Sequence, residues 1–124
     1  RDWAPAAMEE LEAAALGLRH AVGNDDAGKA GDSRDTIMRL THDMKGQAGT
    51  FGLELLQDFA ASLYECAKPD NPDPVRQAEL CQSHVSAMRT ALNDASGQPN
   101  GAIDDRLERQ LRESLRHLAQ MRFN

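Results

Sequence analysis

Apolar side chains recur along this chain at every third or fourth position in five separate stretches, and the two-residue rhythm of a strand is not sustained anywhere. The first stretch, about residues 3–21, carries Met8, Leu11, Ala15 and Leu18 on one face, with Pro5 near its first turn. The second, about 33–49, aligns Ile37, Leu40, Met44 and Ala48. The third, about 53–68, aligns Leu53, Leu56, Phe59 or Ala60, and Leu63. The fourth, about 74–95, turns Leu80, Met88 and Leu92 inward, and the fifth, about 102–122, aligns Ile103, Leu107, Leu111, Leu115 and Leu118.

Polar punctuation sets the boundaries. Gly23-Asn24-Asp25-Asp26 opens a loop expected to continue to Gly31, after which Asp32 or Ser33 offers an N-cap for the second helix. Gly52 suits a C-terminal or turn position, where positive φ is cheap. Lys68-Pro69-Asp70-Asn71-Pro72-Asp73 is a clear break, and Asp73-Pro74 reads as N-cap and first helical residue of the fourth helix. Ser96-Gly97-Gln98-Pro99-Asn100-Gly101 is the second break. Helices of this length on short loops predict an all-α fold, an antiparallel four-helix bundle with one additional helix, in one domain over residues 1–124. The additional helix is expected to cover one side of the bundle and not to pair with a second copy; Glu108 and Arg112 pair on its outer face.

Composition narrows the function. A chain of 124 residues buries one core, and its net charge of −6 argues against nucleic acid or an anionic membrane as general partners. No apolar run approaches a membrane span and no signal-peptide pattern is visible, so a cytoplasmic protein is expected. The chain begins at Arg1, as a piece of a longer protein would. Cys66 and Cys81 lack CxxC spacing and read as half-buried reduced thiols, and no metal site is expected.

Candidate chemistry lies in Thr41-His42-Asp43-Met44-Lys45-Gly46-Gln47-Ala48-Gly49. Glycine inside a helix is unfavourable by about 0.5–1 kcal/mol relative to alanine, and this segment keeps two. On a helical wheel His42 lies about 200° from the core residue Leu40 and shares its stripe with Met38, Arg39, Lys45, Gly46 and Gly49. The imidazole is therefore expected to stand in solvent, with a cation one turn away and two positions bare of side chains. Arg34, Arg39 and Lys45 give this face a positive bias on an acidic protein, with Met38 as an apolar contact. His84 reads as a packed histidine, and His20 and His117 as partners of helix C-termini.

The run His42-x-x-Lys45-Gly46, followed by Gly52 and by Leu56 and Leu63 on the next helix, resembles the histidine phosphotransfer (HPt) domain family. That resemblance implies a phosphorelay intermediate in two-component signalling. His42 would be phosphorylated, Lys45 would assist electrostatically, and Gly46 would leave room for a docking receiver domain. Met38, Arg39, Gly49, Tyr64 and Lys68 complete the implied docking surface. The implied partners are response-regulator receiver domains and a sensor histidine kinase, with this chain a monomeric phosphocarrier lacking kinase activity of its own. No cofactor is implied; Mg²⁺ would belong to the receiver.

The segment also resembles the phosphoryl-acceptor domain of chemotaxis histidine kinases. There a glutamate follows the leucine that here is Leu63, and this chain has Tyr64, with Glu65 one residue late. The chemotaxis reading, and a non-phosphorylated helical adaptor working through the last helix, are the alternatives.

Overall fold

The computed structural model describes residues 3–50, 53–98 and 101–122. Among these are five helices and no strand: α1 (Trp3–Gly23), α2 (Ala27–Thr50), α3 (Glu54–Cys66), α4 (Pro74–Gly97) and α5 (Asp105–Arg122). Gly52 and the Pro99-Asn100 step, read above as turn residues, lie outside the described residues.

Helices α1 to α4 form a closed ring in which each packs on the next and α4 returns to α1. The apolar stripes meet inside it. Met8, Leu11, Leu18, Ile37, Met44, Leu55, Leu56, Phe59, Leu63 and Met88 are all essentially inaccessible. Each such side chain contributes about 1.5–3 kcal/mol through burial. Helix α5 lies across α3 and α4. It buries Leu111 fully and Leu107, Leu115, Leu118 and Met121 in part, so the apolar stripe of the last helix is used within the chain.

The second helix differs from the sequence expectation. It begins at Ala27, not after Asp32 or Ser33, and the expected loop to Gly31 shrinks to a tight turn with Asp25 at φ 54°. Asp26 supplies the cap, its Oδ1 accepting the Lys29 N–H at 3.0 Å. Packing extends the helix: Ala30 is buried, and a methyl group at Gly17 would meet Ser33 Oγ at 3.2 Å. Ser33 is thus held where α1 and α2 approach closely. Asp73 and Pro74 start α4 as their types dictate, with Asp73 Oδ1 accepting the Arg76 N–H at 3.1 Å.

Three polar groups inside the bundle tie the outer helices together. Gln77 is 2% exposed and its Nε2 donates to the Cys66 carbonyl (2.9 Å) and the Lys68 carbonyl (2.8 Å), satisfying groups that the end of α3 leaves unpaired. His84 is fully buried: its Nδ1–H donates to the Leu80 carbonyl at 2.7 Å, which leaves Nε2 to accept the Ser62 hydroxyl at 2.8 Å. Arg122 of α5 donates to Ser62 Oγ (2.7 Å) and the Ser62 carbonyl (2.9 Å). Burial, aided by the charge of Arg122, outweighs the Leu80 hydrogen bond and pushes the His84 pKa down to about 4. His84 is therefore a packed core histidine with both ring nitrogens hydrogen-bonded. Cys66 and Cys81 are likewise fully buried, not half-buried, with their Sγ atoms 3.8 Å apart and no disulfide.

Candidate functional site

His42 is placed by its neighbours. Thr41 and Met44 on either side of it are buried, and the Thr41 hydroxyl donates to the Ile37 carbonyl at 2.7 Å, which fixes that face of α2 against the core. The imidazole is consequently carried outward, with its side chain 72% exposed, from the body of a helix whose backbone is held on both flanks. Its Nδ1 faces Asp43 Oδ1 at 3.7 Å, and Nε2 is the nitrogen directed away from that carboxylate. Asp43 gave no signal in the sequence, because adjacent helical residues do not share a face and only the rotamers bring them together.

A second helix completes the surroundings. The half-buried Tyr64 of α3 sets its ring centroid 6.5 Å from that of His42, the two planes tilted by 50°. Met38, Arg39, His42, Asp43 and Tyr64 line an open depression of about 240 Å³. Lys45 Nζ lies 5.1 Å from the Tyr64 centroid and Lys68 Nζ lies 5.7 Å from it. Lys68 also pairs with Glu65 Oε2 at 2.6 Å. That hydrogen bond holds the Glu65 carboxyl below the ordinary carboxylate range and raises the Lys68 ammonium. Glu65 is absent from the sequence-derived site, although its i,i+3 spacing to Lys68 was legible.

The two glycines play different parts. A Cβ added to Gly46 would meet nothing within 4 Å, so no contact with a described residue accounts for its missing side chain. A Cβ on Gly49 would come within 2.8 Å of Gln57 Nε2. That contact is with the far end of the flexible Gln57 side chain of α3, and Gly49 itself is exposed.

The structure gathers most of the expected residues and rejects one. His42, Lys45, Gly46, Met38, Arg39, Tyr64 and Lys68 share one face, and Arg39 reaches Glu10 of α1 at 3.8 Å. Arg34, expected to add positive charge here, instead lines a separate cleft of about 390 Å³ with Ala21, Asp25, Pro69 and Gln77 at the hairpin end. Among the described residues no three His, Cys, Asp or Glu side chains form a group able to hold a metal ion. No described helix is long and apolar enough to cross a membrane.

An exposed imidazole in mid-helix, flanked by a lysine and an open glycine on a rigid bundle, can act as a nucleophile toward a group brought by another protein. The family model described as Hpt domain matches residues 1–121. No curated protein and no solved structure matches the chain. The chain belongs to the Hpt domain family, and with it has a histidine phosphotransfer role in two-component signalling. Domains of this family are phosphocarriers rather than kinases and interact with receiver domains and histidine kinases.

Proposed function

We propose, with Hpt membership as the premise, that this chain is a phosphorelay intermediate which accepts a phosphoryl group on His42 Nε2 from a receiver-domain aspartate and passes it to a second receiver. The observation that carries this reading is the 72% exposed His42 imidazole beside the open space over Gly46. A neutral imidazole offers a lone pair at one ring nitrogen. The carboxylate of Asp43 beside Nδ1 favours the proton there, leaving Nε2 as nucleophile.

In the forward step the P–O bond of the aspartyl phosphate breaks as the Nε2–P bond forms, and the electron pair returns to the receiver's carboxylate. Charge spreads over the equatorial phosphoryl oxygens, and Lys45 is placed to stabilise it. Gly46 lets the receiver's backbone approach, while Met38, Arg39, Gly49, Tyr64 and Lys68 form the docking surface. Mg²⁺ is supplied by the receiver. The chain acts as a cytoplasmic monomer, a reading supported by the use of α5's apolar stripe against α3 and α4.

Incubation with a panel of phosphorylated receiver domains and Mg²⁺ tests the proposal, comparing wild type with His42→Gln. Acid-labile, base-stable labelling of wild type alone is the expected result. Equal labelling of His42→Gln overturns the site. Labelling only by a kinase core with ATP would move the assignment to the chemotaxis-type acceptor domain.

A further inference from the structure

We propose that Tyr64 is a positioning residue that stations Lys45 and Lys68 as a two-lysine subsite for the phosphoryl group on His42. This rests on the phosphocarrier reading and gives its site a second cation. Tyr64 lies in the last turn of α3 and Lys68 follows two residues after its end, while Lys45 arrives from α2 one turn beyond His42. The outcome is one aromatic ring ringed by three groups: the imidazole at 6.5 Å, Lys45 Nζ at 5.1 Å and Lys68 Nζ at 5.7 Å. No hydrogen bond joins the Tyr64 hydroxyl to His42, so the ring and not the hydroxyl organises the cluster.

A π face suits this task better than a carboxylate. It attracts an ammonium without neutralising it, so the charge stays available to an incoming anion. The backbone beneath Lys68 is held by Gln77, whose Nε2 donates to the Lys68 carbonyl at 2.8 Å. With His42 unmodified, Lys68 is parked on Glu65 at 2.6 Å. A phosphoryl group brings a charge of about −1.5 to −2 against −1 for that carboxylate, and three acceptor oxygens, so Lys68 transfers to it.

The test removes partner docking from the measurement by using phosphoramidate as donor. Its P–N bond breaks as the Nε2–P bond forms, and ammonia leaves. Wild-type labelling of His42, followed by ³¹P NMR, is compared with Tyr64→Leu, Tyr64→Phe and Lys68→Gln, each checked for folding by circular dichroism. Tyr64→Leu and Lys68→Gln are each expected to slow labelling about threefold, and Tyr64→Phe, which keeps the π face, to stay near wild type. In a Lys45→Gln/Lys68→Gln background, Tyr64→Leu is expected to have no further effect, whereas a merely structural tyrosine would still change the rate. Wild-type rates in Tyr64→Leu or Lys68→Gln overturn the subsite while leaving the phosphocarrier standing. Slowing seen only with phosphorylated receivers makes these docking residues and also overturns it. A wild type labelled by neither phosphoramidate nor any receiver defeats the phosphocarrier reading itself.

Discussion

Lowering the pH from 7 to 5 should destabilise the folded chain through His84, a histidine distant from the phosphoryl chemistry. In the unfolded chain an ordinary histidine titrates at about 6.5. In the bundle the His84 pKa is near 4, because burial penalises its charged form and both ring nitrogens are already committed to Leu80 and Ser62. Between these values the unfolded state binds the proton and the native state does not, so stability falls as pH falls. The loss is about 2 kcal/mol by pH 5 and about 3 kcal/mol by pH 4. Carboxylates with lowered values, such as Glu12 beside Arg89, lose their contribution in a lower window, so the interval from pH 7 to 5 isolates the histidine. Urea unfolding at both pH values, for wild type and His84→Gln, measures the effect. The variant should be less stable at pH 7 and lose markedly less on acidification. An equal pH-dependent loss in both proteins would refute the assignment of this proton to His84.

Three further outcomes separate the structural from the functional residues. Gly46→Ala should raise stability by about 0.5–1 kcal/mol in thermal or urea unfolding, since the methyl meets no described residue within 4 Å, yet slow phosphoryl transfer from receivers. Gln77→Leu should lose about 1–3 kcal/mol by the same unfolding measurements, because the carbonyls of Cys66 and Lys68 are left unpaired. Arg122→Leu should speed amide hydrogen exchange in α5 relative to α1 and α2, since Arg122 is its polar tie to Ser62.

The helices themselves were legible because each is specified by local periodicity. Leu11, Ile37, Leu56 and Met88 are buried, as a 3.6-residue repeat requires, and the same geometry that turned Leu40 and Met44 inward turned His42 out. Asp73-Pro74 was equally readable, a cap and first-turn residue that act within four positions. The candidate nucleophile and its lysine follow from spacing along one helix.

Contacts between helices were decided only in three dimensions. Asp32 or Ser33 was expected to cap α2, and Asp26 does so instead because Ala30 and Ser33 have α1 to pack against. Spacing along one helix did not show which groups would meet across helices: the packing of α2 on α3 brings His42 and Lys45 to Tyr64, while Arg34 lines a separate cleft with Ala21 and Gln77. Nor did spacing show that Cys66 and Cys81 would be buried against each other, which the packing of α3 on α4 decides. Periodicity states which face of a helix is apolar; only the packed bundle states what that face, and the polar residues at its margin, come to touch.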